Sequence, residues 1–208
     1  MTTKERYEQR YKLRYDATRR RFLVAAGSLT AALGFAREGE AQELAPTPAC
    51  DDHGAATLRQ GEGPFFKPLS PERADLREQG APGRPVELSG LVLTRRCRPL
   101  VGAVVDLWHA DDKGVYDTAG FSNRGHLVTG SDGAFRFRTI MPAVYSGRTR
   151  HYHFKVQAPG SRLLTTQLYF PNEPENRRDP LFRRELLMRT GEAGDGLAAR
   201  FDFVLDIR

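Results

Sequence analysis

The chain has 208 residues, of which 39% are hydrophobic and 28% charged, a composition that suits one folded domain with a real core and excludes a disordered or fibrous chain. Of the net charge of +6, +5 falls in residues 1–36, where eight Lys/Arg stand against three acids, leaving +1 for the remainder. The basic character therefore belongs to the N-terminus and is no footprint of nucleic-acid binding.

In chain order, residues 18–24 read TRRRFLV and lead into an apolar Gly- and Ala-containing run of 14 residues, 23–36. Paired arginines ahead of such a run resemble a twin-arginine export signal. The run is too short for a membrane span of about 20 residues. Cleavage after Ala36 or Ala41 is expected, with a retained anchor as the rival. Residues 1–41 are thus assigned to an export signal and linker. The expected location is periplasmic, with membrane contact only through the signal. The two cysteines, Cys50 and Cys97, are expected to pair in an oxidising compartment and tie the N-terminal segment to the first core strand. Two cysteines alone cannot build a structural zinc site.

Residues 42–85 are rich in Pro, Gly and charge, including GEGPFFKP at 61–68, and read as an extended arm. Short apolar-alternating runs follow at 86–94, 103–108, 134–140, 151–157, 163–170 and 200–207, separated by turn signals such as Asp111-Asp112-Lys113-Gly114 and Ser131-Asp132-Gly133. Residues 171–188 read as a loop with a helical turn. No long helical period interrupts the strands. The reading is all-β: a sandwich of short, mostly antiparallel strands over 86–208, carrying an extended N-terminal arm.

Four residues in this body have metal-binding chemistry. His151 and His153 stand at i and i+2 on a strand, so both point to one face. Tyr116 and Tyr145 add phenol oxygens. A metal that ionises a phenol at neutral pH must be a strong Lewis acid, and ferric iron fits better than zinc or ferrous iron. Such a set points to oxygen chemistry rather than hydrolysis.

The runs LSGLVLTRRCRPLVGAVVDLWHADDKGVYD, RGHLVTGSDGAFRFRTIMPAVYSGRTRHYHFKV and TTQLYF fall in the order found in intradiol ring-cleavage dioxygenases, the family of the catechol and protocatechuate 3,4-dioxygenases. The chain resembles that family from about Gly61 to its C-terminus. The resemblance implies a non-haem Fe(III) centre with Tyr116 and His151 as equatorial ligands, and Tyr145 and His153 as axial ones. It implies that Tyr145 also acts as a base, that Arg148 stands over the substrate ring, and that Gln167 lies beside the reacting carbon. The implied partners are a catechol-type aromatic and O2, with no nucleic acid. Oligomeric state is left open. Arg124 is expected to hold a loop through a buried ion pair, and His109 to line the cleft edge. Tyr152 and Arg150 depart from the family pattern. Tyr152 is expected on the face opposite the ligands, and Arg150 to move the loop that aims Arg148.

Three other readings compete. A transthyretin-like binding module explains the strands but not four metal-competent side chains in order. A cupin also uses His-x-His but wants an acid shortly afterwards, where this chain has Phe154, Lys155, Val156 and Gln157. An iron-binding but inactive dioxygenase homologue is the third.

Overall fold

The computed structural model describes residues 54–78 and 82–207. The expected export signal and Cys50 lie outside them. Cys97 is disulfide-bonded, and Cys50 is the only other cysteine in the sequence. No helix among the described residues is long and apolar enough to cross a membrane.

Among the described residues, nine strands form two sheets. They are β1 (Pro85–Thr94), β2 (Val104–Trp108), β3 (Arg124–Val128), β4 (Ala134–Ile140), β5 (His151–Gln157), β6 (Leu164–Tyr169), β7 (Arg189–Ala193), β8 (Gly196–Arg200) and β9 (Phe203–Leu205). One sheet runs β4-β1-β8-β7, with β9 beside the end of β1; the other runs β3-β2-β5-β6. Pairings are antiparallel except β1 with β8 and β1 with β9. The expected sandwich is therefore present, with single 3-10 turns at Pro174–Arg177 and Arg184–Leu186 inside the expected loop.

The core lies between the sheets and follows the two-residue period of the strands. Val86, Leu88 and Val92 of β1 meet Phe135 and Phe137 of β4, and across the sandwich Val105, Leu107, Tyr152, Phe154, Val156, Leu164 and Leu168. Tyr152 is fully buried here and gives its hydroxyl proton to the Ile140 carbonyl at 2.9 Å, on the face away from His151 and His153 as expected.

Three strands escape sequence pattern. β3 reads RGHLV, and its buried residues at the start are Arg124 and Gly125. β7 and β8 read RTGEA and GLAAR, too small and Gly-rich to alternate visibly. Tertiary pairing, not local propensity, makes them strands.

The arm then crosses the outer face of β3-β2-β5-β6. Gln60 N–H donates to Thr165 O of β6 at 2.9 Å. Phe66 packs edge-on against Trp108 of β2 at 5.0 Å. Arg73 N–H reaches His126 O of β3 at 3.1 Å, and Leu76 N–H reaches Arg138 O of β4 at 2.8 Å. The arm so encloses a second small apolar cluster of Trp108, Ala110 and Tyr116, with Phe65, Phe66 and Tyr145 against it.

A Cβ at Gly90 would stand 1.8 Å from the Phe201 carbonyl oxygen and 2.8 Å from Phe135 Cζ. Overpacking of a core costs ~1–3 kcal/mol, and more where backbone blocks relief. Gly90→Ala should therefore lower stability by about 3 kcal/mol or more in urea titrations. A midpoint unchanged from the parent would show that β1 and residue 201 do not cross so tightly.

Candidate metal centre

The outward face of the second sheet carries a row of cross-strand neighbours. Register pairs Arg124 with Trp108, Trp108 with His153, and His153 with Gln167. His151 pairs with Tyr169 in the next outward row. Both imidazoles are nearly enclosed, at 4% exposure each.

Tyr116 enters from the loop after β2. Asp111 Oδ1 accepts from Lys113 N–H at 2.9 Å and Val115 N–H at 2.8 Å, closing the turn that turns Tyr116 inward. The Tyr116 hydroxyl lies 3.3 Å from His151 Nε2 and 3.1 Å from His153 Nε2, and the two Nε2 atoms are 3.1 Å apart. Small cations hold N and O ligands at about 2.0–2.2 Å, which sets neighbouring donors about 3 Å apart. The three atoms match that spacing.

Proton bookkeeping supports the same fit. His151 Nδ1 lies 2.6 Å from the Thr149 carbonyl, so Nδ1 carries the proton and Nε2 presents a lone pair. Burial pushes the His151 pKa down to about 4, and that of His153 well below its ordinary value. Burial pushes the Tyr116 phenol up. Neutral imidazoles and a neutral phenol thus bring their lone pairs together with too few protons to satisfy all three contacts. That set suits a cation at its centre. His153 Nδ1 has no hydrogen-bond partner among the described residues.

Tyr145 is placed beside this trio but not in contact through its hydroxyl. It belongs to a tight turn in which Arg148 N–H donates to Tyr145 O at 2.7 Å, with positive φ at Ser146 (43°) and Gly147 (76°). Its ring is perpendicular to that of Tyr116 at 5.5 Å and to that of Phe65 at 5.3 Å. Its hydroxyl makes no hydrogen bond among the described residues, and the ring is only partly buried. No group of three or more His, Cys, Asp or Glu that could hold a metal occurs among the described residues, so a metal here draws on phenol oxygens.

The same turn delivers Arg148. Its Nη2 donates to Gln167 Oε1 at 2.6 Å, while Gln167 Nε2 donates to Gly61 O of the arm at 2.9 Å. Both ends of the Gln167 amide are thereby engaged. Arg148 Nε donates to both Asp179 oxygens at 2.9 Å. Tyr169 joins the network through Gln60 Oε1 at 2.7 Å and Leu181 O at 2.9 Å. Asp179, Gln60 and Tyr169 were not marked by sequence pattern. Asp179 lies in a loop 31 residues from Arg148 and carries no local signal.

The arm completes the enclosure. Phe65 stacks on Tyr116 at 4.4 Å and 13°, and Trp108 stacks on His153 at 5.0 Å and 12°. A Cβ at Gly63, whose φ is 75°, would stand 3.2 Å from His153 Cε1. Lys155 pairs with Glu62 and sits over the Phe66 ring at 3.5 Å.

Two expectations differ from the structure. His109 is fully buried rather than at a cleft edge, with Nδ1 2.6 Å from Ala110 O and Nε2 2.5 Å from the Thr139 hydroxyl. Strand β2 ends at Trp108, so alternation no longer sets the direction of the next side chain. Arg124 is buried but has no carboxylate partner among the described residues. Its Nε donates to Asp117 O at 3.0 Å, and Nη1 and Nη2 have no hydrogen-bond partner among the described residues. The Asp117 carboxylate is spent on the N–H groups of Ala119, Gly120 and Ser122, which hold its pKa at about 2. Arg150 ties its loop to Glu173 at 3.1 Å and to Pro142 O at 2.6 Å.

Ser70, His126 and Asp106 also meet, but not as a nucleophilic triad. Ser70 Oγ donates to Asp106 at 3.0 Å, and His126 Nδ1 is 2.8 Å from Ser70 O, so no carboxylate orients the ring.

A family model described as a dioxygenase matches residues 61–207. The chain belongs to the intradiol ring-cleavage dioxygenase family. It is 33% identical over 154 residues to hydroxyquinol 1,2-dioxygenase of Nocardioides simplex, covering 62% of this chain and 53% of that one. It is 31% identical over 179 residues to catechol 1,2-dioxygenase 2 of Acinetobacter lwoffii, covering 71% of this chain and 63% of that one. The chain thus spans less than two thirds of either relative. Among solved structures, the dioxygenase domain of a dioxygenase carbohydrate-binding protein fusion from Streptomyces sp. SirexAA-E has 53% identity and a TM-score of 0.72, covering 74% of this chain and 100% of that one.

Burial holds His109 and His151 at pKa values of about 4, against 6.5 for an ordinary histidine. The unfolded chain therefore takes up more protons between those values. The stability this confers is complete above pH 6.5 and is lost as pH falls toward 4, on the order of 3 kcal/mol for each group. Denaturation of the metal-free protein should weaken across that window, and His109→Gln should flatten the slope. A slope that His109→Gln leaves unchanged would show that His109 does not stay neutral in the fold.

Proposed function

We propose that the protein is a non-haem Fe(III)-dependent intradiol dioxygenase. It inserts both atoms of O2 into a catechol-type ring between its hydroxylated carbons and yields a muconate-type dicarboxylate. The observation that carries this reading is the buried convergence of Tyr116, His151 and His153, with Tyr145 and the Arg148–Gln167 pair beside it. Tyr116, Tyr145, His151 and His153 would hold the ferric ion. When bound, it would supply Lewis acidity toward the catechol oxygens and the redox capacity that reaction with O2 needs.

The residues divide the remaining work by environment. Thr149 O fixes the His151 tautomer, so Nε2 is always ready as a ligand. Tyr116 is buried and its phenol is hard to ionise, which favours a strong Lewis acid over a divalent ion. Tyr145 is the more exposed phenol and has no competing hydrogen bond, so it is the one placed to accept a proton from a catechol hydroxyl. Arg148 supplies positive charge for the anionic ring, and Gln167, held at both ends, orients it. Phe65, Phe66 and Trp108 keep water from the site.

The substrate class follows from the names of the relatives, which act on catechol and hydroxyquinol. The sequence signal further supports export through the twin-arginine route, with the site loaded before transport.

Purified protein loaded with ferric ion should show a broad visible band from tyrosinate ligation, and anaerobic catechol should shift it. Tyr145→Phe should keep a weaker band and lose about 100-fold or more in ring cleavage. Full turnover in that variant would remove Tyr145 from the proton step. A colourless ferric-loaded parent would overturn the reading.

A further inference from the structure

The strongest unassigned feature is the carboxylate behind Arg148. The Asp179 side chain is completely buried and the Arg148 side chain nearly so, at 0% and 18% exposure. A carboxylate has about four acceptor positions. All are in use here: both oxygens take Arg148 Nε–H at 2.9 Å, Oδ2 takes Thr149 N–H at 3.1 Å, and Oδ1 takes Leu181 N–H at 2.9 Å. Asp179 is therefore fixed by the main chain of the Arg148 turn and of its own loop, and it fixes the arginine in turn.

The attachment point matters. An arginine side chain is long and loses much rotamer freedom when held. Asp179 grips it at Nε and leaves the far end for other partners. Nη2 is given to Gln167 Oε1 at 2.6 Å, and Nη1 makes no hydrogen bond among the described residues. A carboxylate at Nη1 would have neutralised the edge that remains open. Asn176 anchors the same loop independently, through Thr149 Oγ1 at 2.7 Å and Phe170 O at 2.9 Å, without touching Arg148.

We infer that Asp179 is a positioning residue for ring cleavage: it holds the Arg148 guanidinium at a fixed place and rotation against Gln167, with its Nη1 edge open. This role rests on the dioxygenase reading above. Besides Arg148, Asp179 contacts the main chain of Thr149 and Leu181, so coupling to Arg148 is what separates positioning of the guanidinium from loosening of that main chain.

The test uses ferric-loaded, full-length protein and whichever of catechol, protocatechuate and hydroxyquinol the parent cleaves fastest. Asp179→Asn should keep the visible band and its anaerobic shift with that substrate at a similar Kd, while kcat falls about 10- to 100-fold. In an Arg148→Lys background the same change should cost no more than about twofold, because the residue it positions is gone. Asn176→Ala, which loosens the loop only, should change kcat less than about threefold. If Asp179→Asn fails to fold, Asp179→Glu keeps the charge and moves the guanidinium; it should show the same loss of kcat with the same coupling to Arg148.

Equal losses in the parent and Arg148→Lys backgrounds, or kcat within twofold of the parent for either Asp179 variant, would overturn the role. A second readout stands apart from activity. In the metal-free protein, 15N NMR should show a slowly exchanging Arg148 Nε–H that Asp179→Asn abolishes. A parent that cleaves none of the three substrates would sink the dioxygenase reading and this role with it, while the protected Nε–H would still show the ion pair. Loss of that signal with turnover intact would sink the positioning role alone.

Discussion

Everything at the site depends on the two-residue period of β5. In HYHFKVQ, Tyr152, Phe154 and Val156 face the sandwich core, and His151 and His153 face the other way. A slip of one residue would put both imidazoles into the core and three large side chains outside. Two devices prevent it. β5 is central, paired over residues 153–157 to β2 on one side and over residues 151–156 to β6 on the other. Tyr152 is also bound to the Ile140 carbonyl by its hydroxyl, and a buried phenol without that partner would be costly. The residue that departs from the family pattern thus helps to fix the orientation of its neighbours.

Burial then acts on the proposed ligands in opposite directions. Enclosure under Phe65, Phe66 and Trp108 keeps the imidazoles neutral, as ligation requires, but makes the Tyr116 phenol harder to ionise. The two halves of the set are reconciled only by an ion acidic enough to ionise a buried phenol. Tyr145 has a different environment, with a partly exposed ring and no hydrogen bond to its hydroxyl among the described residues. Two identical side chains are thereby given different surroundings, which fits the two roles proposed for them.

Much of this was legible from residues alone. Strands with clear alternation, such as β4 and β5, match their expected bounds, because one face is buried and the other is not. Arg148 and Tyr145 entered only through the family resemblance, and the structure joins them by a tight turn at Ser146 and Gly147. What could not be read is long-range. β3 is a strand because it lies beside β2, and its own residues are polar or small. Asp179 looks like one more charge in the run ENRRDP until the loop folds back on Thr149. Buried charges in loops leave no periodic trace, so the ion pair expected of Arg124 is not found among the described residues.

The arm explains why those distant parts must meet. It is not a passive cover, because Gly61 O holds one end of the Gln167 amide and Gln60 holds Tyr169. Arg148 holds the other end of the same amide and is itself held by Asp179. Arm, turn and loop therefore share one hydrogen-bonded chain that ends beside the imidazoles. Removing any one of them leaves a buried donor or acceptor unpaired in the next. The arm, the turn and the loop are coupled by this chain, so loosening any one of them weakens the hydrogen bonds of the next.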